Sequence, residues 1–212
     1  TYWVMSVASG QIRFCDSFEL GCALSTETVN DGTWHHIMVV KDFNTSDRYK
    51  WYIDGVLKKT VTGSNTSVHA IARDVEIGVY SGGELFFGSI DEVRIYNRAL
   101  SAAEVSALYN ADKAVVTQKA VNNTGLVGYW SFDDATGTIA TDYSGNRNAG
   151  TLVASPAWVN GNKRSALNFN GSSQYVNIPD SSVFDLGSYT LSAWVKTSSN
   201  SAQQRVVSQQ LG

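Results

Sequence analysis

The sequence predicts an all-β fold with a sheet-on-sheet core and one short helix. Strand-length runs alternate apolar and polar residues with period two, Gly, Asn and Asp cluster between those runs, and a single helix-capping signature interrupts them. The 212 residues suffice for one large all-β domain or two small ones. Proline is scarce, at 2 residues, and aromatics reach 11%, which suits short strands, polar turns and a core filled by bulky rings.

Taken in order, Trp3-Val4-Met5 opens strand-like, and FCDSFELGC places Cys15 and Cys22 at hairpin spacing. The run Trp34 to Val40 puts Trp34, His36, Met38 and Val40 on one face and His35, Ile37 and Val39 on the other, the pattern of a central strand. Lys50 to Thr62 reads as two strands joined at Asp54-Gly55, both of which tolerate positive φ. Further strands are read at Val75 to Tyr80 and Asp91 to Asn97. Ser101 and Glu104 form a capping box ahead of Val105, Leu108 and Tyr109, predicting a helix from about Ala102 to Asn110 at an edge of the sandwich. Residues 111–125 hold no period and read as a linker. Strands resume at Leu126 to Phe132, Ser165 to Gly171, Gln174 to Pro179, Tyr189 to Thr197 and Gln204 to Gln209.

Charged residues make up 17% of the chain and the net charge is −3, with no basic run to neutralise phosphates, so nucleic acid is not an expected partner. The apolar runs are strand-length, too short for membrane insertion by a helix. No signal peptide is read; the chain opens at Thr1 in strand-like sequence, as a fragment or processed chain would. Cys15 and Cys22 fit a cross-strand disulfide, with two unpaired core thiols as the alternative, and lack the second pair of ligands a zinc site needs. A bridge would place the protein outside a reducing cytosol.

Two blocks resemble a known family. GLVGYWSFDDATGTIATDYSGN…ALNFNGSSQYVNIP…YTLSAWVKT, in 126–212, is similar to the amino-terminal half of a LamG-like jelly-roll domain of the concanavalin A-like lectin/glucanase superfamily. DGTWHHIMVVKD…WYIDGVLKK…FGSIDEVRIYNRALSAAEVSALYN, in 1–110, is similar to the carboxy-terminal half. The resemblance implies a concanavalin A-like jelly-roll sandwich whose halves stand in permuted order. Either the chain closes as one permuted domain across the 111–125 linker, or it comprises complementary halves of tandem copies or of neighbouring chains. The family also implies a secreted or cell-surface, non-enzymatic binding module for carbohydrate or glycoprotein. The different expectation is a structural repeat or subunit of an adhesin, sheath or filament, assembled with copies of itself.

Oxygen-rich loops supply the metal candidates. Asp133-Asp134 and Asp142-Tyr143-Ser144-Gly145-Asn146 offer carboxylates and amides on a sharp turn, the donors that hard cations take. The family often carries structural calcium near these loops and contributes the Asp of the I-D-E-V strand. The expected ligands are therefore Asp134, Asp142, Asn146 and Asp91, with turn capping by Asp142 and Asn146 as the plainer alternative. Trp158, Tyr80 and Trp3 lie beside loops and are the candidate sugar-stacking rings, with plain edge packing as the alternative for each; Trp34, Trp130 and Trp194 match core positions of the family. Catalysis has little support. The E-x-D-x-x-E strand of related glycosidases is missing, and Asp91 and Glu92, as neighbours on a strand, should face opposite ways. His35 and His36 likewise point apart, and with His69 they form no legible triad. Sequons at Asn44, Asn65, Asn122 and Asn170 are expected by chance in so Asn/Ser/Thr-rich a chain.

Overall fold

A computed structural model describes residues 3–16, 21–46, 48–63, 73–79, 83–113 and 122–209. Tyr80, Asn65 and His69 lie outside the described residues. The first block forms β1 (Trp3–Ala8), β2 (Gln11–Asp16), β3 (Gly21–Thr28), β4 (Trp34–Lys41), β5 (Tyr49–Ile53), β6 (Val56–Val61), β7 (Val75–Ile77), β8 (Phe87–Tyr96) and helix α1 (Ala102–Lys113). The second forms β9 (Leu126–Trp130), β10 (Ile139–Ala140), β11 (Gly150–Val153), β12 (Ala157–Asn160), β13 (Ser165–Asn170), β14 (Tyr175–Ile178), β15 (Tyr189–Lys196) and β16 (Gln204–Gln209), with a 3-10 turn at Ser182–Phe184.

These strands build two antiparallel sheets packed face to face. The first runs β10-β11-β14-β7-β16-β1-β2-β3; the second runs β12-β13-β8-β15-β4-β5-β6, with β9 also on β8. The blocks interleave. β7 of the first block lies between β14 and β16 of the second, and β15 of the second lies between β8 and β4 of the first. Trp3 stands opposite Gln209 where β1 meets β16. Inward-facing residues of both sheets, among them Trp3, Phe14, Ile37, Trp51, Ile95, Trp130, Leu191 and Val206, form one core.

Local chemistry explains the elements. Asp54 and Gly55 have φ of 51° and 75°, the two positive values a tight hairpin between β5 and β6 demands. At the start of α1, Ser101 and Glu104 cap each other reciprocally, and Arg98 braces Glu104. The helix runs to Lys113, three residues past its expected end, so the expected linker begins inside it. It also lies over the outer face of the second sheet and not at an edge. Val105 and Leu108 pack on Met38, Val40, Tyr52 and Tyr96, which would otherwise present apolar surface to water. Cys15 and Cys22 stand opposite each other on β2 and β3 and are bonded, S–S 2.08 Å.

The tryptophans partly exchange their expected places. Trp3 is fully buried, packs near Tyr189 and donates to the Gln209 side chain, so it is a core residue and not a ligand platform. Trp34, expected in the core, is only half-buried at the start of β4. Trp194 is buried, but on the outer face, stacked on Tyr109 of α1 at 5.7 Å.

Candidate functional site

The outer face of β8 carries an irregularity from which a site is built. On one side β8 pairs with β15 along its length. On the other it pairs with β13 through Ile90 and with β9 from Val93 onward, leaving Asp91 and Glu92 at a break in the ladder. Glu92 adopts φ 53°, a left-handed conformation uncommon outside glycine, and the register with β15 shifts there. Ile90, Val93 and Ile95 all face the core. The bulge thus turns both Asp91 and Glu92 to the outer side, which corrects the expectation that they face opposite ways.

The segment between β12 and β13 crosses this break. The amides of Asn162 and Lys163 donate to Asp91 Oδ2 at 2.9 and 3.3 Å. Gly161 allows the approach, since a Cβ there would lie 2.6 Å from that oxygen. Asp91 is fully buried and its Oδ1 has no hydrogen-bond partner. Burial, and next the charge of Glu92, push the Asp91 carboxyl up to about 8. Beside it, Arg94 forks onto Asp112 of α1 at 2.7 and 3.1 Å and also bonds Glu92. Burial would raise Asp112, but Arg94 outweighs it and holds the group below the ordinary carboxylate range. The Arg94 guanidinium lies 4.3 Å from the Tyr129 ring centre, Trp194 Nε1 donates to Asp112, and Lys163 Nζ approaches it to 3.7 Å.

Tyr129 links this network to the oxygen-rich loops. Its hydroxyl donates to Glu92, and its amide donates to Asp142 Oδ1. Asp142 also accepts from the amides of Ser144 and Asn148 and from the Ser144 hydroxyl. The Asn146 amide group donates to the carbonyls of Leu126 and Val127, and Asp134 accepts from the amide and hydroxyl of Thr141. Asp142 and Asn146 therefore share one turn, Asp134 braces the neighbouring one, and Asp91 sits apart on the sheet. Among the described residues, no three His, Cys, Asp or Glu side chains converge as metal ligands.

Of the expected sugar-stacking rings, Trp158 is half-buried on edge strand β12, where Nε1 donates to the Gly137 carbonyl beside the opposite sheet. Tyr143, not singled out from sequence, is 53% exposed with its hydroxyl 3.5 Å from Asp134. Two open clefts of about 330 and 350 Å³ share Gly83 and Leu85; Glu76, Ser172, Ser173 and Tyr175 line one, Glu84 and Gln203 the other. Burial, then Asp74, raises the Glu76 carboxyl above its ordinary value. Sequence reasoning also missed Glu92, Arg94, Asp112 and Lys163. The E-x-R spacing in IDEVRIY was a signal for the first two, whereas Asp112 stood in an apparent linker with no local cue.

Residues 2–106 match the laminin-G family model of the concanavalin A-like lectin/glucanases superfamily, wholly within the first block. A 90-residue stretch, 38% of this chain, is 30% identical to the sushi, von Willebrand factor type A, EGF and pentraxin domain-containing protein 1 of Rattus norvegicus. That stretch spans only 2% of the rat protein. No solved structure matches the chain. Residues 2–106 thus fall in the laminin-G-like family of the concanavalin A-like lectin/glucanase superfamily.

Proposed function

We propose that this is a non-catalytic module of a secreted or cell-surface protein that binds carbohydrate, free or on glycoprotein, and holds a structural calcium ion. The observation that carries the sugar reading is the pair of adjoining open clefts. Hydroxyls, carboxylates and the partly exposed Tyr175 ring stand together there, the mixture that grips a sugar's hydroxyls and its C–H face. The disulfide and the likeness of a stretch to a multidomain rat protein support an extracellular setting. A glycan array probed with and without calcium tests the reading. Tyr175→Ala should abolish glycan signals without lowering the melting temperature, and a folded wild type that binds no glycan under either condition would sink it.

Calcium fits best at Asp91, whose buried, unpartnered Oδ1 is the kind of hard oxygen the ion takes. Asp142 fits less well, because a cation there would compete with four protein donors. Asp134 and Asn146 would join only if the turns they brace rearranged.

The interleaved sheets favour a second reading, a structural subunit built by permuted or exchanged halves. Each block supplies strands that lie between strands of the other, and a single segment, 114–121, joins α1 to the described start of the second block. Copies that exchanged blocks would polymerise. Light scattering and electron microscopy at high concentration would show filaments, and a strict monomer at all concentrations would refute the exchange.

A further inference from the structure

At one end of the core lies a polar group that neither calcium nor sugar would use. Asp16 ends β2 in the first sheet and Lys41 ends β4 in the second. Lys41 Nζ lies 2.7 Å from Asp16 Oδ2, with the two side chains 1% and 0% exposed. The rings of Phe43, Tyr49 and Tyr189 surround the ammonium, at 4.7, 5.4 and 5.6 Å to their centres. The hydroxyls of Tyr49 and Tyr189 donate to the same Oδ2, at 3.0 and 3.3 Å.

We propose that Lys41 and Asp16 condense into an amide, a covalent cross-link between the two sheets. Burying two opposite charges costs more solvation than their attraction returns unless the surroundings compensate fully, so a dry, ring-lined site favours the neutral products. Proton transfer along the Nζ–Oδ2 hydrogen bond gives a neutral amine beside a neutral acid. The fold holds the amine against that carboxyl and excludes water, which supplies the proximity the reaction needs. The Nζ lone pair attacks Cγ, forming the Nζ–Cγ bond. The attack leaves the negative charge on Oδ1, and the second proton passes from nitrogen directly to the neighbouring Oδ2, which the Tyr49 and Tyr189 hydroxyls hold in place. The Cγ–Oδ2 bond then breaks and Oδ2 departs as water. Two protons leave the ammonium and two arrive on the departing oxygen, so no oxidant or co-reactant is required.

Intact-mass measurement on the purified chain tests this. The expected mass is that of the disulfide-bonded sequence less one water, and digestion should yield the Asp16 and Lys41 peptides joined. A succinimide at Asp54-Gly55 would also lose a water, so Lys41→Arg is measured in parallel. That variant keeps the charge but cannot form this link and should regain the full mass. A folded wild type with only the disulfide's mass loss would overturn the proposal, as would a water loss that persists in Lys41→Arg. Should Lys41→Arg fail to fold, the joined or unjoined peptides of the wild type decide.

Discussion

Between the sheets, Lys41 Nζ lies 2.7 Å from Asp16 Oδ2. Lys41 and Asp16 sit at the end of the core, and rings cover the ammonium. Outside the second sheet the numbers are uneven: Arg94 faces Glu92 and Asp112, Asp91 stands beside them, and Lys163 reaches in from the partly exposed side. Three carboxyl groups against two cations leave one over: it is Asp91, pushed up to about 8, with its Oδ1 unbonded. The difference also suits the side chains. Arg94 offers a fork that two acids can share, whereas Lys41 is a point charge that one oxygen and three rings can surround.

The largest expected effect comes from cutting the outer network at its centre. Arg94→Met strands Glu92 and Asp112 as buried, uncompensated acids and should cost about 3–5 kcal/mol in urea unfolding. A loss under about 1 kcal/mol would mean that both acids are readily protonated or hydrated, and the contrast with the Lys41 pair would fail. Calcium tests the surplus oxygen next. At a hundredfold excess over its Kd the ion should add about 2.7 kcal/mol to stability, read as a higher melting temperature than in EDTA. Asp91→Asn should remove that response. If Asp142→Ala removes it while Asp91→Asn does not, the cation belongs to the loop and not to the sheet.

The disulfide sits one residue before Asp16 and braces the strand that carries it. It closes a loop of sequence separation 7, so replacing both cysteines by Ala should cost about 2 kcal/mol. A loss of that size with unchanged glycan binding would show that the brace serves the core alone.

The smallest effect lies on the surface and contrasts two adjacent histidines. His35 is raised above its ordinary value by its hydrogen bond to Asp54, with partial burial opposing. His36, fully buried, is pushed down to about 4. A raised histidine stabilises the fold fully below its ordinary value of 6.5, and the contribution disappears as pH rises through the higher folded value. The size should stay under about 1 kcal/mol because the pair is partly solvated. NMR titration of Asp54→Asn should return His35 toward its ordinary value and leave His36 neutral.

Much of this architecture was legible locally. The alternation from Trp34 to Val40, the Asp54-Gly55 turn and the Ser101–Glu104 cap each depend on neighbours within a few residues, and each stands where the pattern placed it. What escaped depends on distant partners. The end of α1 is polar and looked like linker until Arg94, 18 residues away, accounted for Asp112. The paired outward aim of Asp91 and Glu92 needs a bulge that no alternation reveals. Trp3 and Trp34 each open a strand, and the pairing of β1 with β16 accounts for the burial of the first. At the loops, a list of oxygens could not show that Asp142 is already occupied by four protein donors.

The meeting of Trp3 with Gln209 bears on how the module would carry load. A pull entering at Trp3 and leaving at Gln209 grips β1 and β16 at the same end of one antiparallel ladder. Such a pull peels the strands apart one bond after another, where a pull along the strands would strain the whole ladder at once. The seam should therefore part at low force. The Cys15–Cys22 bond lies one strand further in, beyond β1, and would stay closed while the seam opens.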